Sequence, residues 1–273
     1  MNQKLLSTLL VMGLSLSASA KIVYKKVSLM GADNSVIACY DRSAVKDIVF
    51  VGGDVKKVKV AFNDASKEAV SYDRSTVKEI TFTEEVVYQK EVNGHTFVDM
   101  GTGTDIWWSV SNLGALTAQE YGDYYAWGET ETKTEYSSST YTYTDNPTTL
   151  PAEADAVTAK WGKGCRMPTQ AEWQALADLG DSAWVWQSGT EGDTSTEAGY
   201  LITSPTTNMS IFLPAAGGYF NSSTCTGRAN GGYYLASTKY SDTDAYYLVL
   251  FEGNQLVAEN PRYYGYSVRA VAD

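Results

Sequence analysis

One eleven-residue phrase occurs twice in this chain. YDRSAVKDIVF (residues 40–50) returns as YDRSTVKEITF (residues 72–82), with eight of the eleven positions identical. Each copy opens on an alternating stretch, VSL at 27–29 or VKVAF at 58–62. It turns at GADNS or NDASK and resumes at VIACY or EAVSY. Alternation interrupted by Gly, Asn and Asp clusters describes strands joined by turns. A unit this small cannot bury its own apolar face, so the two copies must pack on each other. The YDRS phrase has two readings. It is either a doubled binding loop or a turn whose Asp and Ser satisfy nearby backbone groups, and the second needs fewer assumptions. Residues 21–86 are therefore expected to form a small all-β tandem-repeat spacer domain.

Ahead of the repeats stands MNQKLLSTLLVMGLSLSASA, with one lysine, an apolar run from Leu5 to Leu16, and Ala18-Ser19-Ala20 at its end. These are the three regions of a secretory signal peptide, cleaved after Ala20 to leave Lys21 at the mature terminus. The run is shorter than the roughly 20 residues a membrane span requires. No cysteine follows the cleavage site, so the usual bacterial lipid anchor has no attachment point. The expectation is an exported protein, in the periplasm, at the cell surface or secreted, with no transmembrane segment.

Charge divides the remainder. Residues 21–86 carry 11 Lys and Arg against 10 Asp and Glu, whereas residues 87–273 carry 9 against 22. An acidic surface of that size repels phosphate backbones, so nucleic acid is excluded as a partner. All six prolines lie at or after Pro147, and ten of the twenty tyrosines lie from Tyr200 onward. The three cysteines form no C-x-x-C, which leaves structural zinc without support. In an oxidising compartment Cys165 and Cys225 either pair, leaving Cys39 free, or remain thiols; their spacing favours neither.

The 187 residues from Val87 suffice for one domain. GHTFVDMG, DIWWSVSNLG and YGDYYAWGE read as strands, and residues 136–152 as a long surface loop. Thr169, with Glu172 three residues on, forms a capping box at the start of a helix that ends by Gly180. Trp173, Leu176 and Leu179 share its core-facing stripe. Strand-like runs then follow one another: WVWQ, GYLI, SIFLPAAGG, GYYLAS, AYYLVLF, NQLVAE and YSVRAV. In the last, Tyr266, Val268 and Ala270 occupy one face and Ser267, Arg269 and Val271 the other. Few helices and many late strands define an α+β fold dominated by antiparallel sheet.

Eight blocks occur in a telling order: FVDMG, WWSVSNLGA, EYGDYYAWGET, GCRMPTQAEWQAL, SIFLPAAGG, GYYLAST, AYYLVLF and RYYGYSVRAV. Together, over about residues 92–271, they resemble the Fibrobacter succinogenes major paralogous domain family. They are also similar to the variable proteins of diversity-generating retroelements, many of which end in G-[FY]-S-V-R-x-V. The chain departs from the usual aromatic-Trp before Ser-Ser-Thr, carrying Tyr234-Leu235-Ala236-Ser237-Thr238 instead. The resemblance implies a C-type-lectin-like domain over residues 87–273, akin to formylglycine-generating enzymes. It implies that the first and last strands pair, with His95–Asp99 beside Tyr266–Val271, and that Arg269 is structural. It further implies that partners meet an irregular half between Gly217 and Tyr264, in an exported, surface-type ligand-binding module.

Catalysis finds little to work with. His95 is the sole histidine, which removes H-E-x-x-H sites and His-based triads; it is expected to be a half-exposed structural group. The copper-binding cysteine pair of the related oxidising enzymes has no counterpart after Cys225. Asp242 and Asp244 are of the right type to hold calcium, yet no Glu-Pro-Asn or Trp-Asn-Asp accompanies them, so solvated loop acids are expected. GTGTD (residues 101–105) lacks the lysine of a phosphate loop and reads as a turn. No catalytic residue, metal or cofactor is expected.

The sequence therefore points to a binding surface built from loops. Its expected residues are Tyr219, Phe220, Asn221 and Arg228; Tyr240, Asp242 and Asp244; and Glu259, Asn260, Arg262, Tyr263 and Tyr264. These flank strand-like runs, so their side chains are expected to reach solvent and meet a glycan or protein. Tyrosine offers rigid area at low entropic cost, and short polar residues add adaptable hydrogen bonds. The alternative is a structural or assembly subunit of the cell envelope or a fimbria-like structure, with the repeats as its docking part.

Overall fold

The computed structural model of the chain describes residues 22–51, 57–86, 88–189 and 197–273. Residues 1–20, expected to be a signal peptide, the expected terminus at Lys21 and the boundary residue Val87 all lie outside the described residues.

The repeats fold as six strands: β1 (Ile22–Met30), β2 (Val36–Asp41), β3 (Val45–Val51), β4 (Lys57–Phe62), β5 (Val70–Asp73) and β6 (Glu79–Val86). Each copy supplies three, but they do not stay together. One sheet has the order β2-β1-β6 and the other β3-β4-β5, so each copy's third strand completes the other copy's sheet. The registers match: Val27 faces Tyr40 and Phe82, while Val58 faces Tyr72 and Phe50. Val27, Leu29, Val45, Val58, Val60 and Val77 form the shared core. Tyr40 and Tyr72, equivalent residues of the two copies, hydrogen-bond through their hydroxyls. The second YDRS is a turn: Asp73 Oδ1 accepts from Ser75 N at 2.8 Å and from Ser75 Oγ at 2.6 Å. The same Asp-x-Ser bonding closes the turns at Asp33 and Asp64.

The larger region is mostly antiparallel sheet. Its elements are β7 (Gln89–Val92), β8 (His95–Val98), β9 (Trp107–Asn112), β10 (Tyr124–Tyr125), α1 (Ala156–Trp161), β11 (Cys165–Arg166) and α2 (Gln170–Ala177). They continue with β12 (Trp184–Gln187), β13 (Gly199–Thr203), β14 (Ser210–Pro214), β15 (Ala216–Tyr219), β16 (Cys225–Arg228) and β17 (Gly231–Lys239). The chain closes with β18 (Asp244–Phe251), β19 (Asn254–Pro261), β20 (Tyr266–Ser267) and β21 (Arg269–Ala272). One sheet has the order β11-β21-β9-β8-β7 and another β10-β20-β17-β15-β16, with β18 and β19 extending from β17; β12-β13-β14 form a third.

Two of the implied features are corrected. The closing strand does not lie beside His95–Asp99. β9 stands between them, pairing with β21 on one side and β8 on the other. The stretch from Gly217 to Tyr264 is not irregular but largely a meander, β17-β18-β19, in near-continuous register. GYYLAS and AYYLVLF pair as long antiparallel strands, and tight turns leave no irregular half.

Two hydrophobic cores lie on opposite sides of the closing strands. Tyr266, Val268, Ala270 and Ala272 enter one, and Val271 enters the other. The face assignment at the C-terminal strand is as its alternation requires. Helix α2 forms as its cap predicts: Thr169 Oγ1 accepts from Glu172 N at 3.2 Å, and Glu172 accepts from Thr169 N at 2.7 Å. Trp173 and Leu176 are buried in the second core, with Leu179 packed against it. Helix α1 has no expected counterpart, being only six residues long. Asp155 caps it, accepting from Thr158 N at 2.9 Å and Met167 N at 2.8 Å. The loop at 136–152 is anchored by three buried residues, Tyr136, Ser137 and Leu150. Cys39, Cys165 and Cys225 are all free thiols.

Candidate functional site

On one face of the β17-β18-β19 meander the apolar core stops short of the outer end, where Phe251 and Leu256 stay exposed. Tyr233, Tyr247 and Phe251 project from this face by strand parity, since Tyr247 lies opposite Leu235 and Tyr233 opposite Val249. Leu256, Ala258 and Asn260 of β19 join them, opposite Val249, Tyr247 and Ala245. Tyr233 is the hub. Its ring centre lies 4.9 Å from that of Phe220, 5.2 Å from Tyr266, 5.8 Å from Phe251 and 6.0 Å from Tyr247. Tyr264 packs edge-on against Phe220 at 5.5 Å, and Tyr263 against Tyr264 at 5.1 Å.

The rings grade from core to solvent. Tyr266 and Tyr247 are buried, whereas Phe220, Tyr233, Tyr263 and Tyr264 are half-buried. Phe251 and Leu256 are 40% and 41% exposed, so the outer rim of the cluster is open to water. Continuous apolar surface of this kind marks interaction sites more often than isolated exposed side chains do. Asn260 braces the centre: its Nδ2 donates to Tyr247 Oη at 3.0 Å and to Tyr266 Oη at 2.9 Å. Burial pushes the Tyr247 phenol up to about 12, with Tyr233 and Glu259 adding to the shift, and pushes Tyr266 higher still. At neutral pH the face is therefore uncharged and carries intact hydroxyls. It can stack on the C–H faces of a sugar or receive an aromatic side chain.

Of the twelve expected residues, this face gathers Phe220, Asn260, Tyr263 and Tyr264. The others lie elsewhere. Tyr219 packs into a separate aromatic group, 5.0 Å from Tyr124 and 4.9 Å from Tyr136. Exposed Arg228 lies over Tyr121 and Tyr124, its Nε donating to Tyr124 Oη at 3.3 Å. Asn221 adopts positive φ at a turn, and its Oδ1 accepts from Ser138 N at 3.4 Å. Tyr240 is half-exposed against Tyr246. Asp242 accepts from Asn146 Nδ2 at 2.6 Å, and that bond holds its carboxyl below the usual range. Asp244 Oδ2 accepts from Ser241 Oγ and Thr243 Oγ1, so that oxygen serves its own turn. Glu259 is exposed on β19, opposite Tyr246.

The expectation that all twelve side chains reach solvent is corrected. Arg262 is only 5% exposed, and its Nη2 donates to Asn146 Oδ1 at 2.6 Å and Ser241 O at 2.5 Å, tying two loops together. Tyr219, Phe220, Asp244, Asn260, Tyr263 and Tyr264 are half-buried. Tyr219, Arg228, Asp244, Glu259 and Asn260 belong to strands rather than loops. The sequence reading missed Tyr233, Tyr247, Phe251 and Leu256, which sit inside strands. Their signal was parity: in GYYLAS and AYYLVLF every second residue faces the same side, and the aromatic residues include both parities.

Arg269 is fully buried. Its Nη1 donates to Ser109 O at 2.9 Å and its Nη2 to Phe212 O at 2.6 Å. It joins β21 to β9 and β14 by carbonyls, and burial pulls its pKa down to about 10. His95 stacks on Trp161 at 3.8 Å and is half-buried. Among the described residues no group of three or more His, Cys, Asp or Glu is placed to hold a metal, and no helix is long and apolar enough to cross a membrane. No protein-family model, curated protein or solved structure matches the chain.

Proposed function

We propose that this chain is an exported, non-enzymatic binding module. In this reading residues 87–273 are a C-type-lectin-like domain akin to the Fibrobacter major paralogous domains, and residues 21–86 hold it away from its point of attachment. The ligand, a glycan or a protein, is held by the open aromatic face around Tyr233. The observation that carries the reading is the graded ring cluster, whose inner members are fixed by Asn260 while Phe251 and Leu256 remain in water. A surface already ordered before it meets its partner loses little entropy on binding. The apolar leader ending in Ala18-Ser19-Ala20 supports export.

The test is a combined glycan and protein array probed with the full chain. Binding to a defined subset of ligands is the expected result. A silent array, with the chain instead co-purifying in an envelope complex, would favour an assembly role.

A further inference from the structure

We propose a second, separate site: a cleft for a neutral oligosaccharide, divided by the strip Gly128–Lys133. This strip walls two cavities, of about 360 and 310 Å³, and Glu131 and Thr132 line both. The first cavity also takes in Glu129, Lys133 and Tyr143, and the second Lys160 and Trp161. The aromatic face around Tyr233 contributes no residue to either.

Local structure explains why the cleft keeps its shape. Gly128 adopts a φ of +79°, and a Cβ there would come within 2.1 Å of the Tyr143 ring, so the ring lies directly on the backbone. Glu129 Oε1 accepts from Thr142 N at 2.8 Å and Thr142 Oγ1 at 2.9 Å, while its Oε2 meets Lys133 Nζ at 2.5 Å. Lys133 Nζ also donates to Thr140 O at 3.0 Å. In the neighbouring cavity Lys160 Nζ meets Glu131 Oε1 at 2.7 Å. The donors and acceptors are thus set before a ligand arrives.

The chemistry selects the ligand. Each cavity holds one Lys–Glu pair, and exposed Asp123 also lines the second, so an anion gains a cation only by separating an existing pair and meets an acidic surface besides. A polyol uses the pairs and the threonine hydroxyls as they stand, donating to carboxylates and accepting from ammonium groups. Tyr143 in one cavity and Trp161 in the other supply the apolar edges that sugar C–H groups require. Two cavities that share the exposed residues Glu131 and Thr132 fit linked sugar units better than a single monosaccharide.

Saturation-transfer difference NMR on the full chain tests this with β-linked tetrasaccharides of glucose, mannose, xylose and N-acetylglucosamine, and tetragalacturonate as the acidic comparison. At least one neutral tetrasaccharide should show saturation transfer and tetragalacturonate none. Thr132→Trp, at an exposed position common to both cavities, should weaken the neutral ligand by about tenfold or more. Its circular dichroism and melting temperature should stay unchanged. Tyr263→Ala, on the other face, should leave this binding intact even if the aromatic face has no ligand of its own. Absence of transfer from every neutral sugar, stronger transfer from tetragalacturonate, or full retention of binding in a folded Thr132→Trp variant would overturn the proposal.

Discussion

The guanidinium of Arg262 lies 4.4 Å from the centre of the Trp127 ring, in a site from which water is almost wholly excluded. It stacks on the indole while donating to Asn146 and Ser241, and so joins three chain segments. Truncation to alanine leaves those acceptors unpaired and the ring uncovered. Arg262→Ala should cost about 2–4 kcal/mol in urea denaturation. Arg262→Lys should recover only part of that loss, because an ammonium cannot reproduce a planar, stacked fork. Full stability in Arg262→Ala would show that the residue is not structural.

Arg269 makes a sharper case, since its two carbonyl partners belong to two different strands. Arg269→Ala should lower stability by about 1–3 kcal/mol through the unpaired Ser109 and Phe212 carbonyls. The variant should unfold at lower urea with an unchanged slope.

The Tyr40–Tyr72 hydrogen bond sits where the two repeat copies meet. Tyr40→Phe and Tyr72→Phe should each cost about 0.5–1.5 kcal/mol. The double variant should cost no more than either single change, because both remove the same bond. Simple additivity in a double-mutant cycle would show that the bond contributes nothing in solution.

His95 offers a clean titration, being the only imidazole. Burial against Trp161 lowers its pKa below 6.5, although Glu91 opposes the shift. The folded state therefore binds its proton less readily than the unfolded chain. Stability from this group is complete above pH 6.5 and declines as pH falls through the folded value. NMR of the ring protons should give a midpoint below 6.5, and His95→Phe should remove this part of the pH dependence.

Much of this architecture was legible in the sequence because it is locally encoded. The Thr169–Glu172 box needs only four residues, and the faces of Tyr266 to Val271 follow from strand parity. What stayed hidden depends on distant pairing. Nothing in YDRS tells β3 and β6 to change sheets, since a strand's edge bonds carry no sequence mark. Placing β9 between β8 and β21 is likewise a matter of sheet order. Arg262 differs from expectation for a related reason: adjacency to Pro261 and two tyrosines looks like a loop tip. Its burial comes from Trp127 and Asn146, more than a hundred residues earlier. The aromatic face was half visible, because its loop members stand out while its strand members resemble core.

Ligand binding at this face is open to a single comparison. The full chain and the Phe251→Ala/Tyr263→Ala double variant are titrated with the strongest array ligand, alongside melting temperatures. Both positions are at least partly open to solvent, so the fold should survive. Affinity should fall by about thirtyfold or more, equivalent to the 2 kcal/mol or more expected at a hot spot, with a nearly unchanged melting temperature. Undiminished affinity in the double variant would contradict it.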